Sequence, residues 1–318
     1  MATPNSDMGE LISATLRHRR KPIADAVTNN NALYTRLRKK KHMELVGGGT
    51  EITSPIDYIE NPNFQFYSGY DRLAISPQEV IDSVKVDWKQ WAVGVTISGA
   101  EILKNMGEEQ VFKILGARIK NAERTLANQL SEAVYSDGTG SGGLQVTGLQ
   151  AWIADAAGGT VGSINSGTYT WWDNQRNTST SLDRVNAYRE MLALYLSCSR
   201  GNDQPDLIVA DNTFFQAYSE SLQQQARYMD REMAEAGFRN NLMFQNAPVI
   251  YDGGIGGDAP AGMYFINCEY LKFCIHRNRN NVVLEGPKRS LNQDAETRIV
   301  AGMGNVICTN RKLMGRMT

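Results

Sequence analysis

Cysteine and histidine are scarce and scattered. Cys198, Cys268, Cys274 and Cys308 show no C-x-x-C spacing, and His18, His42 and His276 are the only histidines in 318 residues. That argues against a structural zinc site and leaves buried, reduced thiols as the expectation. Nothing points to an oxidising compartment. No apolar run approaches the ~20 residues that span a bilayer, and the N-terminus lacks the apolar core of a secretory signal, so no membrane partner is expected. G-x-S-x-G, H-E-x-x-H, a Walker lysine and an EF-hand loop are all missing. Gly138–Gly143 has glycine at phosphate-loop density, yet a dinucleotide fingerprint follows a strand and opens a helix. This run follows a helical pattern instead. Asp206 and Asp211 bracket a strand and read as solvated turn residues, and His276 reads as structural. No catalytic residue, metal or cofactor is expected.

The hydrophobic fraction of 42% and charged fraction of 21% are ordinary for a soluble globular chain. The formal net charge of −1 hides an asymmetry. The first fifty residues hold nine arginines and lysines against four carboxylates. Residues 1–46 read as an arm with no apolar face large enough to fold alone. Its densest basic run contains Arg36, Arg38, Lys39, Lys40 and Lys41. These side chains either contact phosphates or form a solvated or partner-bound charged face.

The chain is organised around 108–135. Apolar residues at Val111, Ile114, Leu115, Ile119, Ala122, Leu126, Leu130 and Val134 follow steps of mostly three and four, a single helical stripe. Glu108 and Glu109 suit the positive end of the helix dipole, and Asp137-Gly138 should stop it near Tyr135. Such a helix runs ~40 Å at 1.5 Å per residue. Upstream, Ser98 and Glu101 have the spacing of a capping box for a short helix. Before that, 47–97 reads as a long two-stranded ribbon with a turn near Ser68–Asp71. Val84, Val86 and Trp88 alternate, then Trp91, Val93, Val95 and Ile97 alternate out of phase, which suggests a bulge or twist. The ribbon carries Phe64, Phe66, Tyr67 and Tyr70 but little apparent core, so it is expected to pack on another chain. Beyond Gly148, helices are expected at 182–197 and 213–235. Strands are expected at 206–211, 247–251, 263–266, 270–276, 296–299 and 306–309, an α+β plan with a compact α/β subdomain.

The run Asp137-Gly-Thr-Gly140 with Gly148-Leu149 resembles the end of the long spine helix in tailed-bacteriophage major capsid proteins of the Hong Kong 97-type coat fold. FYSGYDRLAISPQEV with WKQWAVGVTISGAEILKN resembles their extended loop and its lead into the spine helix. PDLIVAD, NAPVIYD and GMYFINCEY resemble their axial domain. The resemblance covers about residues 45–318 and implies five regions. These are an arm 1–46, an extended β-hairpin loop 47–97, a peripheral domain 98–180 with spine helix 108–135, an axial domain 181–262, and a return to the peripheral domain over 263–318. It implies a virion shell protein that forms hexamers and pentamers, encloses double-stranded DNA non-specifically and meets a portal protein and a decoration protein. A separate scaffolding protein is expected, because only about forty-six residues precede the ribbon. It further implies a spine helix that bends and straightens as the shell matures. Gly116, costly inside a helix by ~1 kcal/mol, is then either a hinge or a close-packing site. The alternatives are an encapsulin-type compartment shell, with the same fold, and a nucleotide-dependent enzyme using Gly138–Gly143.

Overall fold

Leu207–Ala210 is a four-residue apolar run with every side chain fully buried. A strand apolar on both faces belongs in the middle of a covered sheet, and that is where it lies. The structure, a computed structural model, describes residues 32–39, 41–104, 114–178, 185–222, 242–253, 262–284, 288–289 and 294–318. Leu207–Ala210 pairs in parallel with Ala247–Tyr251 and antiparallel with Met263–Ile266. The six-stranded sheet is completed by Leu242–Phe244 at one edge and by Gly315–Met317 and Gln175–Asn177 at the other. Helices Ala187–Ser197 and Asn212–Ser221 cover it through Met191, Leu194, Tyr195, Ala217 and Tyr218. Asp211 caps the second helix, accepting the Phe214 N–H at 2.9 Å. Sequence reasoning assigned 263–318 as a return to the other unit. Instead, Met263–Ile266 and the C-terminal Gly315–Met317 belong to this sheet. Both are buried throughout, so they need cover on two faces.

The second sheet is built on one 14-residue strand, Ala295–Cys308. The sequence suggested two short strands here, because Ala301-Gly-Met-Gly-Asn305 has low strand propensity. The glycines are explained by their neighbour. A Cβ on Gly302 would lie 2.2 Å from Trp91 Nε1, and one on Gly304 would lie 2.4 Å from the Cys274 carbonyl oxygen. The strand stays continuous because its neighbours pair with it through the glycines, from Ala295 to Cys308. Leu271–His276 pairs antiparallel with the strand's C-terminal half, and Met43–Val46 adds in parallel beyond. Lys89–Ser98 pairs antiparallel with it from Ser98–Ala295 to Lys89–Gly304.

That last pairing corrects the expected ribbon. The out-of-phase alternation is real, with Val84 and Val86 buried in one segment and Val95 and Ile97 in the next. Its cause is a change of sheet. Ile81–Asp87 pairs with Glu51–Asp57, whereas Lys89–Ser98 leaves the ribbon for the body. The expected arm is corrected too. Helix Ala32–Leu37 buries Leu33, Tyr34 and Leu37 in the main core, so the body begins no later than residue 32. Residues 1–31 lie outside those described.

The spine helix is described over Ile114–Tyr135, with its predicted start at 108 outside the described residues. Ala122, Leu126, Leu130 and Val134 of the predicted stripe are buried. The capping box forms as read: Ser98 N–H donates to Glu101 Oε2 at 3.1 Å and Glu101 N–H to Ser98 Oγ at 3.3 Å. Arg118 of the spine then donates to both Glu101 oxygens, at 2.8 and 3.0 Å, and to the Thr96 carbonyl at 2.8 Å. All four cysteines are free and buried. Burial pushes the Cys198, Cys274 and Cys308 thiols up to about 12.

Candidate assembly surface

The ribbon has two halves with different environments. In the inner half, Ile52, Ile56, Val84 and Val86 share one face and are buried in the main core. The expectation of little core of its own therefore fails for this half. Ribbon residue Lys85 donates its N–H to the Gly162 carbonyl at 3.1 Å, and Tyr58 stacks on Trp171 with ring centroids 5.1 Å apart. Gly162 has φ +65°, and a Cβ there would lie 2.5 Å from Val84 Cγ1. Two needs thus converge on glycine: a left-handed backbone and close approach.

Beyond Asp57 and Ile81 the ladder ends, yet the hairpin continues. Tyr58 N–H donates to the Val80 carbonyl at 3.2 Å, Asn63 Nδ2 to Ser76 at 2.6 Å and Gln65 Nε2 to Arg72 at 2.9 Å. Asp71 N–H closes the turn on the Ser68 carbonyl at 2.8 Å, while the Asp71 carboxylate accepts the Ser68 N–H. Side-chain amides thus replace the main-chain rungs, and the partners stay within one residue of the ribbon's register. The turn lies where the sequence placed it. On this frame Phe64 is 77% exposed, Phe66 92% and Ile75 88%, with Tyr67 and Tyr70 also exposed. Phe64 and Phe66 touch edge-to-face, 5.2 Å between centroids. Large apolar groups held out on a shaped hairpin are the feature that calls for a partner surface.

The root is fixed by a residue that sequence reasoning missed. Asn305 is fully buried. Its Nδ2 donates to the Asp87 carbonyl at 2.8 Å, and its Oδ1 accepts the Thr147 N–H at 2.9 Å. It ties the end of the ribbon to the loop after the spine helix. The available signal was an amide between a glycine-rich approach and the apolar run Val306–Cys308. Next to Asp87, Trp88 Nε1 donates to the Gly49 carbonyl across the ribbon's root at 2.9 Å.

No family model and no curated protein sequence matches the chain. Solved structures do. The cyanophage A-1(L) capsid asymmetric unit matches with TM-score 0.63 at 14% identity, over 93% of this chain and 94% of that one. The capsid of the empty GTA particle gives 0.64 at 12% identity, over 99% of each. Myoviridae phage XM1 gives 0.55 at 11%, over 87% and 89%. The chain has the phage capsid fold.

Within that capsid fold the Asp137-Gly-Thr-Gly motif closes the end of the spine. The Asp137 carboxylate accepts the Thr139 N–H at 2.9 Å and the Thr139 hydroxyl at 2.8 Å, and these bonds hold its pKa below the ordinary aspartate range. Gly148 then passes so close that a Cβ would lie 2.4–2.6 Å from the carbonyl oxygens of Ser136, Val134 and Ala133. Tyr135 donates to Asp252 Oδ2 at 2.6 Å, joining the helix end to the first sheet. Lys89 Nζ donates to the Gly143 carbonyl at 2.6 Å, so the candidate phosphate loop is held by the chain's own lysine.

The basic run divides. Arg36 pairs with Asp206 at 2.9 Å and is structural. Arg38, Lys39 and Lys41 are exposed, and Lys40 lies outside the described residues. Gly116 falls in the first described turn of the spine helix, and the surroundings of 111–117 also lie outside the description.

Proposed function

We propose that this chain is the major coat subunit of a tailed-bacteriophage-type icosahedral shell that encloses double-stranded DNA. The observation that carries the reading is the ordered aromatic tip: Phe64, Phe66, Tyr67 and Tyr70 exposed on a hairpin whose base is clamped to the body. A monomer gains nothing by shaping such a surface. A neighbouring subunit in a hexamer or pentamer gains a hydrophobic contact at about 25 cal/mol per Å² removed from water. Many such contacts of modest size, closed by symmetry, hold a shell without any catalytic site. A scaffolding protein, a portal and a decoration protein are the partners such a shell would use.

The test is a Phe66→Ser, Tyr67→Ser double variant, followed by sedimentation and by melting of the dissociated subunit. Both side chains are exposed, so subunit melting should be unchanged while particles are lost. Normal particles, or an unfolded subunit, would remove the tip from the assembly role.

A further inference from the structure

The ribbon is strongly acidic, and only Asp71 and Asp82 use their carboxylates locally, each on a backbone N–H. Residues 51–87 carry seven aspartates and glutamates against Arg72 and Lys85. All seven are exposed, and none makes an ion pair among the described residues. Glu51 lies directly opposite Asp87 in the ladder, a like-charge pairing that is unfavourable in isolation. Asp57 closes the ladder, and Glu60 and Glu79 follow just beyond it, between the clamped base and the aromatic tip. A surface of opposite sign exists on the same chain, where Arg38 lies over the Tyr34 ring, 5.7 Å from its centroid. Arg38, Lys39 and Lys41 are exposed and free of ion pairs among the described residues.

These cations are not on a loose tail. Arg36, before them, is tied to Asp206, and His42, after them, is buried with Nδ1 2.8 Å from the Cys268 carbonyl. The Lys39 carbonyl accepts the N–H groups of His42 at 2.9 Å and Met43 at 3.1 Å, which folds the run into a turn. The inward-facing ends fix the outward-facing middle.

We propose that the acidic ribbon of one subunit docks on the exposed cations Arg38, Lys39 and Lys41 of a neighbouring copy. This rests on the assembly reading above and names the surface that receives the ribbon. The two patches differ, so the contact is head-to-tail, the kind that closes into rings when the rotation allows. Charge complementarity sets register and suppresses wrong pairings, and the aromatic tip adds apolar burial beside it.

The experiment uses three forms of the full chain beside wild type. One carries D57K/E60K/E79K, one carries R38E/K39E/K41E, and one carries all six changes. Particles are purified from expressing cells and counted by sedimentation and electron microscopy. Each triple variant should lose at least about tenfold in particle yield, since like charges across an interface are strongly unfavourable. The six-fold variant, with the charges exchanged, should recover most of the yield. Subunits should stay folded in all forms, with melting lowered only slightly where R38E removes the Tyr34 contact. Normal assembly of the R38E/K39E/K41E chain would overturn the proposal. So would a combined variant no better than either triple, or particles of normal yield that have lost only their nucleic acid. A wild-type chain that folds but never forms particles would instead overturn the assembly reading itself.

Discussion

Asn305 and Gly148 show how single residues fix the geometry on which the surface depends. Removing the Asn305 amide takes a partner from the Thr147 N–H and the Asp87 carbonyl, both in part-buried hydrogen bonds, and empties a fully buried side-chain position. Asn305→Ala should therefore destabilise the subunit by about 1–3 kcal/mol in total, seen as a lower midpoint in urea. Gly148→Ala places a methyl against three backbone carbonyl oxygens, and forced overpacking of this kind costs about 1–3 kcal/mol. Gly47→Ala is the control, since nothing lies within 4 Å of its Cβ position. Equal melting of Gly148→Ala and Gly47→Ala would show that the spine's end can open without cost. The motif around Gly138 and Gly148 was visible in the sequence because turn glycines follow local rules. Asn305 was not, because its partners are far along the chain, and distance in sequence hides a buried hydrogen bond.

At the scale of elements, the capping box was legible because Ser98 and Glu101 act across one helical turn. The Arg118 contact to Glu101 was not, since it joins two helices. That contact has a pH signature. Hydrogen bonding from Arg118 is the largest influence and holds the Glu101 carboxyl below the ordinary glutamate range, with partial burial acting against it. A depressed carboxylate contributes stability that is complete above its unfolded value of about 4.3 and lost as pH falls through the lower folded value. Glu101→Gln should thus weaken the subunit near neutral pH, by about 1 kcal/mol for a damaged cap. The gap to wild type should close as pH falls below about 4. A gap that is constant down to acid pH would show that the charge plays no part. The ribbon teaches a related lesson. The phase slip at Lys89-Gln90 was visible as a slip, but its meaning required knowing that Ala295–Cys308 was the partner. Likewise Leu207–Ala210 was legible as a buried strand, while the membership of Gly315–Met317 in the same sheet was not.

At the scale of the molecule, two six-stranded sheets, a spine helix and a clamped ribbon make the frame of the described residues, in the phage capsid fold. The tip aromatics were readable from their lack of local apolar partners, and the order of elements made the fold recognisable. What a subunit alone cannot display is the neighbour that covers those aromatics. The most direct measurement is therefore electron microscopy of particles purified after expression of the full chain. The prediction is closed icosahedral shells with subunits in fives and sixes and the Phe64–Tyr70 tip covered by an adjacent subunit. A folded chain that remains a small soluble oligomer, with that tip still exposed, would contradict it.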